Sequence, residues 1–466
     1  MRRIERWIGV IGALLVLIGV ALQGPVEGQA ALPLEEGERL RISGDGRMRL
    51  RQVSSTGMEP VGAYGEILGE GSTFRHRMLL ELEVAAAPGL QAAVMVRQSD
   101  EGALAFSAGS ERLASERGSL ALRYRGRRVN ATMGYYRLHL TPLTMMRWDL
   151  EDNPEGGGQS ACACPGAGGA VTGESLEEMG PDLTLEGVRW EADLGAGREW
   201  SGFAARPRTA TEGVWFRQMS YGTTFKMLSY HRPSMSFRSA SLTVLQHRDE
   251  ENSVDRPLGV PYRPMRSRLV DLQAEIPVGE RLLLAAEGAL SRADEDLLDR
   301  RDVEADGHGL LASVRLRLPA SLQLRVAYQR LSADFHSSYR AISYEPNRHG
   351  WRLAVDWEGA DEGRSLWAFY KRLRNLETES GAARQTRSIL SLGGGTALGG
   401  VQLRSAWIFR RDPDAEGWSG TAELSKPLAT DCAVTLQYRY VDHRDAFAAV
   451  LDHHTHLLSL LSSVSF

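Results

Sequence analysis

Beyond Leu22, no stretch of this 466-residue chain offers the roughly 20 consecutive apolar residues that a transmembrane helix needs. Charged residues make up 24 % of it, so a helical membrane protein is excluded. Of its 55 basic residues only Lys226, Lys371 and Lys426 are lysine, and the net charge is -4. With no dominant basic patch, nucleic acid is a poor partner. There are three cysteines, Cys162, Cys164 and Cys432, too few for a disulfide framework. No Cys-x-x-Cys-His occurs, so the chain carries no c-type haem of its own. Gly-x-Ser-x-Gly and His-Glu-x-x-His are absent too. No catalytic residue and no cofactor is expected, although a triad assembled only in space leaves an embedded hydrolase open as an alternative.

The N-terminus does carry a signal. Arg2, Arg3 and Arg6 precede the apolar run Trp7–Leu22, and small residues follow at Gly28 and Ala30. A basic start, an apolar centre and a small-x-small site describe a cleaved secretory signal peptide over residues 1–30. The alternative is a membrane anchor, for which the run is short. An exported chain without apolar helices can enter a membrane only as strands.

Past the signal, strand-like runs of about ten residues recur, the length that crosses a bilayer when tilted. Phe74, His76, Met78, Leu80, Leu82 and Val84 share one face, with Arg75, Arg77, Glu81 and Glu83 on the other beside Leu79. Val270, Leu272, Ala274 and Ile276 oppose Asp271, Gln273 and Glu275. Leu322, Leu324, Val326 and Tyr328 oppose Gln323, Arg325, Ala327 and Gln329. Val434, Leu436, Tyr438 and Tyr440 oppose Thr435, Gln437 and Arg439. Period-two alternation of this kind fits strands and not helices. Trp351 and Trp357 flank Leu353 and Val355 on one face, an approximate aromatic girdle. Arg123, Arg125, Arg315, Arg317 and Arg404 join the polar set, because an arginine on a lipid face is costly.

Connections alternate between short and long along nearly the whole chain. Short ones fall at Ala87–Gly89, Gly126–Arg127, Gly195–Gly197, His231–Pro233, Val278–Glu280, Pro319–Ala320, Gly359–Gly363, Ala397–Gly399 and Leu428–Asp431. Longer ones fall at Thr56–Ser72, Asp100–Arg117, Thr141–Pro181, Asp249–Met265, Ala293–Asp306, Asp334–Asn347 and Asn375–Ala383. Tight turns at one end and long loops at the other are what an up-and-down membrane barrel requires. The expected fold is therefore all-β: one antiparallel barrel over residues 31–466 with an even strand number, about 20 and between 16 and 22. A secreted soluble sandwich or propeller would alternate as well, but no internal repeat supports a propeller.

The longest loop, 141–181, opens TPLTMMRWDLEDNPEGGG, continues SACACPGAGG and ends in acidic ESLEEMGPD. A loop of this length is usually functional or disordered. One reading folds it into the lumen as a constriction, with Asp149, Glu151 and Asp152 facing wall arginines, since rings of charge select solutes. The other leaves it outside. Cys162 and Cys164 lack the further ligands a metal site needs, and Cys432 alternates with Val434 and Leu436 as a lipid-facing residue. His453, His454 and His456 read as the polar start of a strand at the outer rim, with a shared metal as the sharper alternative.

The chain closes on HLLSLLSSVSF, in which Leu458, Leu460 and Val464 alternate with serines and Phe466 is last. A free terminal strand would be an exposed edge; paired with a first strand within Arg39–Val53 it closes a barrel. This tail resembles the C-terminal signal of bacterial outer-membrane β-barrels, and the architecture resembles the porin class over the whole mature chain. The run Arg75–Glu83, the Ala-Pro-Gly-Leu turn and the apolar strand ending at Arg97 are similar to the opening hairpin of alginate-export-type porins. The resemblance implies an outer-membrane location, outer-membrane lipid and the barrel-assembly machinery as partners, and passive passage of small polar or charged solutes. It also implies an arginine-lined lumen for anionic or polar solutes, against which Glu81, Glu83, Asp271 and Glu275 stand. The expected pore lining is Arg75, Arg77, Glu81, Glu83, Arg123, Arg125, Asp271, Glu275, Arg315, Arg317, Arg325, Arg404 and Arg439. A homo-oligomer, or a sheath around a periplasmic or extracellular partner such as a multihaem cytochrome, is the alternative in another class.

Overall fold

The computed structural model describes residues 40–465 apart from connecting segments at 58–70, 100–114, 146–183, 209–216, 254–262, 299–302, 338–345, 377–384 and 446–451 and a few turn positions. Twenty strands form one sheet. The first seven are β1 (Leu40–Gly57), β2 (Gly71–Ala87), β3 (Leu90–Ser99), β4 (Ser115–Arg125), β5 (Val129–Arg137), β6 (Thr184–Gly195) and β7 (Arg198–Arg208). Next come β8 (Gln218–Arg232), β9 (Met235–Asp249), β10 (Arg266–Val278), β11 (Leu282–Asp294), β12 (Ala305–Leu318), β13 (Leu322–Leu331) and β14 (Arg348–Glu358). The last are β15 (Ser365–Asn375), β16 (Thr386–Leu398), β17 (Val401–Arg411), β18 (Ala415–Ala429), β19 (Cys432–Asp445) and β20 (His453–Ser465).

Each strand pairs antiparallel with its chain neighbours, and β20 pairs with β1 from Asp45 opposite Ser465 to Gly57 opposite His453. That last ladder removes both sheet edges. The expected barrel, its strand number and its closure by the C-terminal tail are all borne out. The first strand is longer than expected, running to Gly57. The fold is a closed, up-and-down antiparallel β-barrel of 20 strands.

Alternation decides which way the wall faces. Leu272 is 60 % exposed on the outside while Asp271 beside it is fully buried on the inside. The outward set includes Leu290, Leu310, Val314, Trp351, Leu353, Leu390, Leu424 and Leu436, all exposed. A one-residue slip would exchange the two faces on every strand, so the apolar exterior pins the register. All nine expected short connections lie at one end of the barrel. At the β2–β3 turn Gly89 takes φ +75, and a Cβ there would sit 2.6 Å from the Arg125 carbonyl oxygen, so only glycine fits.

The opposite end carries the long connections, with one exception the alternation rule does not anticipate. Strands β17 and β18 are joined by 412–414 alone, closed by Asp412 N–H donating to Ala415 O at 2.7 Å. The Asp412 carboxylate holds the turn by accepting from Arg387 Nε at 2.5 Å and from Arg410 Nε at 2.5 Å. Two further outer connections, 209–217 and 446–452, also escape the sequence pattern because neither carries a Pro/Gly cluster or a long polar run.

Candidate functional site

The lumen is narrowed by chain that leaves the wall and turns inward. Strand β5 ends at Arg137, where the chain leaves the sheet toward the turn at Thr141–Met145. Thr141-Pro142-Leu143-Thr144 forms a tight turn, with Thr144 N–H donating to Thr141 O at 3.1 Å and Thr141 N–H donating to Thr144 Oγ1 at 3.0 Å. Proline in the second position presets the φ that such a turn requires. A contact between the two threonine hydroxyls at 2.7 Å ties the turn further.

The turn crosses to a wall five and six strands away. Thr141 Oγ1 donates to Asp271 Oδ1 on β10 at 3.2 Å, and Leu143 N–H donates to Glu287 Oε1 on β11 at 2.8 Å. Leu143 and Met145 are fully buried. They join Tyr136, Leu185, Phe203, Leu245, Leu269, Leu311 and Leu331 in one apolar cluster. A cluster of this kind inside a polar lumen is a plug: apolar side chains of the inserted turn bury against apolar patches of the inner wall.

A second segment completes it. After β13 the chain bends at Ser332, whose Oγ accepts from His308 N–H at 2.9 Å, and drops Phe335 into the same cluster. Ser337 Oγ then donates to the Thr144 carbonyl at 2.7 Å, which links the two inserted segments directly. Beneath Pro142 lies a cavity of ≈ 150 Å³, with Glu275 and Glu287 on one side and Arg315, Arg325, Arg352 and Asp356 on the other. The wall charges are mixed here. Acids lie on β10 and β11 and, as Asp356, on β14, beside bases on the inward positions of β12 to β15 that end at the buried Lys371. Arg352 is steadied by Gln329, whose Oε1 accepts from its Nη2 at 2.6 Å.

The residues singled out from the sequence fall as follows. Asp271, Glu275, Arg315, Arg317 and Arg325 occupy inward positions on β10, β12 and β13. Arg404 lines a second lumen pocket with Glu423 and Gln437. Arg439 is buried on the inner face of β19. Arg123 pairs with Glu83 across β3, and Arg125 lies at the β4–β5 turn. Arg75, Arg77 and Glu81 belong to β2, but their side chains lie outside the described residues. Outside them also lie Asp149, Glu151 and Asp152, Cys162 and Cys164, the segment 1–30 and Phe466. Leu458, Leu460 and Val464 stand on the outer face of β20, as does Cys432 on β19.

The residues that build the constriction were partly missed. Glu287, Thr141, Thr144, Phe335 and Ser337 carry no motif. The local hint is apolar residues, Leu143, Met145 and Phe335, at the starts of otherwise polar loops.

No family model and no curated protein matches this chain. Solved structures with a similar barrel include OpdL of Pseudomonas aeruginosa, 13 % identical over 92 % of this chain and 98 % of that one, TM-score 0.49. OpdQ of the same organism is 10 % identical over 92 % and 97 %, TM-score 0.47. A BenF-like porin from Pseudomonas fluorescens Pf-5 is 12 % identical over 91 % and 99 %, TM-score 0.48. At these identities and TM-scores they assign neither a family nor a solute.

Proposed function

We propose that this chain is an outer-membrane porin, a passive, water-filled pathway for small polar or charged solutes. The observation that carries the reading is a closed 20-stranded barrel, apolar outside and charged inside, whose lumen is narrowed by two inserted segments. A barrel of this size encloses more volume than wall side chains can fill. Among the described residues the inserted segments pack against β5 to β13, which leaves the charged remainder of the wall as the path for solute. Because acids and bases both line that wall, both signs of charge meet a complementary surface, and strict anion selectivity does not follow.

The test is planar-bilayer recording on refolded protein. Discrete ohmic steps are expected. Absence of conductance, including after deletion of 141–181, would sink the open pore; a copurifying multihaem cytochrome would then favour a sheath. Cell fractionation is the companion measurement. Recovery as soluble periplasmic protein would overturn the membrane reading.

A further inference from the structure

Away from the inserted segments, the lumen wall near the short-turn mouth carries an aromatic ring of its own. On β15 the outward Leu366 and Tyr370 are exposed, while Trp367 turns inward with the buried Phe369 and Lys371. Gly393 is the ladder partner of Trp367. A Cβ on that glycine would lie 2.4 Å from Trp367 Cζ2 and 2.5 Å from Cε2, so the indole rests directly on it. Ala406 and Thr421 continue the same row on β17 and β18. Their small side chains leave a trough in the wall beside the ring.

One row nearer the mouth, Arg404, Glu423 and Gln437 stand opposite one another on β17, β18 and β19. Neighbouring strands lie about 4.8 Å apart, so a guanidinium, a carboxylate and an amide form a row of planar hydrogen-bonding groups at that spacing. Among the described residues none of the three makes a hydrogen bond or ion pair, and the Trp367 indole N–H makes none either. Arg404 and Glu423 are thus neighbours of opposite charge that leave their polar atoms to the lumen. Trp367, Thr421 and this row line one cavity of ≈ 270 Å³. Clefts for drug-sized ligands run from about 300 to 1,000 Å³, so this one is sized for a single small ring.

We propose that this trough is a subsite for an uncharged pyranose, a neutral monosaccharide in transit through the pore. It rests on the pore reading above and names a solute for it. A pyranose offers an apolar face of C–H groups and a rim of hydroxyls that both donate and accept. The indole takes the C–H face, as an apolar surface packs on an aromatic ring. Arg404 donates to the rim, Glu423 accepts from it and Gln437 does both. Their spacing along the row is close to that of alternate equatorial hydroxyls. Arg404 and Glu423 cancel in charge, and Arg439, opposite Thr421 in the ladder, is 3 % exposed and offers a solute no free face. An aromatic acid would pair with Arg404 but meet Glu423 beside it. An amino acid would satisfy those two and leave Gln437 unused.

Current-noise recording on the whole refolded barrel tests this, with glucose as the probe and mannitol, glucuronate and phenylalanine as comparisons. Glucose should interrupt the ion current in a saturable way. Its half-block should come at about a tenfold lower concentration than that of mannitol, which has the hydroxyls but no ring face. Trp367→Ala should raise the glucose half-block about tenfold, the upper worth of one aromatic contact. Trp367→Phe keeps a ring and should keep most of the block. Heat-modifiable gel mobility reports that each variant is folded. Equal block by glucose and mannitol, stronger block by glucuronate or phenylalanine, or a glucose block that Trp367→Ala leaves unchanged overturns the proposal. A wild-type barrel that inserts but carries no current would instead remove the pore reading, and the subsite with it.

Discussion

Replacing Asp271 and Glu287 together by alanine tests whether the inserted turn is held by its two carboxylate anchors. Removing Glu287 leaves the buried Leu143 N–H without its 2.8 Å acceptor, a cost of about 1–3 kcal/mol. Removing Asp271 costs the Thr141 hydroxyl its 3.2 Å partner, a bond of about the same size. Taken together as about 3 kcal/mol, the loss raises the population of the withdrawn turn roughly a hundredfold, at a factor of ten per 1.4 kcal/mol. Burial of Leu143 and Met145 opposes withdrawal by about 1.5–3 kcal/mol each. The double variant should therefore stay narrowed most of the time and show brief upward excursions in single-channel records. Adding Leu143→Ala, worth a further 2–5 kcal/mol or so, should turn the excursions into the dominant state. Asp271→Asn with Glu287→Gln keeps an acceptor oxygen in each place and should record like the wild type. Traces for the alanine pair that match the wild type would refute the anchoring. Excursions of equal frequency in the amide pair would show that charge matters and the bonds do not.

Exchange of wall charge should move selectivity: Arg325→Glu toward cations and Glu275→Lys toward anions, read as opposite shifts of reversal potential in a salt gradient. Leu460→Arg puts a charge on the lipid face of the closing strand and should cost about 2–4 kcal/mol, measured as a lower urea midpoint for loss of heat-modifiable mobility. At the outer turn, burial raises the Asp412 carboxyl, but its hydrogen bond to Arg387 and the charges of Arg410 and Arg387 outweigh burial and hold it below the usual value. A carboxyl depressed in the folded state stabilises above its unfolded value and loses that contribution as pH falls through the folded one. Acid should therefore destabilise the wild type more than Asp412→Asn, and equal pH dependence of the two urea midpoints would refute the pairing.

How much of this was legible in the sequence depended on the range of the interactions. The wall was legible, because strand direction, register and turn position are local. Val270 to Ile276 alternate with Asp271 to Glu275 whatever lies elsewhere, and Gly89 marks its turn alone. The constriction was not, because its bonds join residues 130, 144 and 193 positions apart. Nothing near Thr141 in the sequence points to Asp271, and Glu287 stands in the run LLLAAEGAL, where alternation fails.

That failure has a physical cause. In a water-filled barrel the inward residue of each pair is polar, and alternation is clean. Where an inserted segment docks, the inward face must be apolar as well, or the plug would bury its side chains against charge. Leu245, Leu269, Ala289, Leu311 and Leu331 are all inward, all buried, and all in the half of the barrel nearest the long loops. There the strands read as apolar on both faces. A barrel sequence whose alternation fades toward the loop end of several successive strands thereby marks the part of the wall that a loop covers. On this chain the fading runs over β9 to β13, the stretch of wall that receives Leu143, Met145 and Phe335. Replacing inward Leu269 or Leu311 by a polar residue of similar volume should then mimic the loss of the anchors, widening the pore while the outward, lipid-facing register stays as it is.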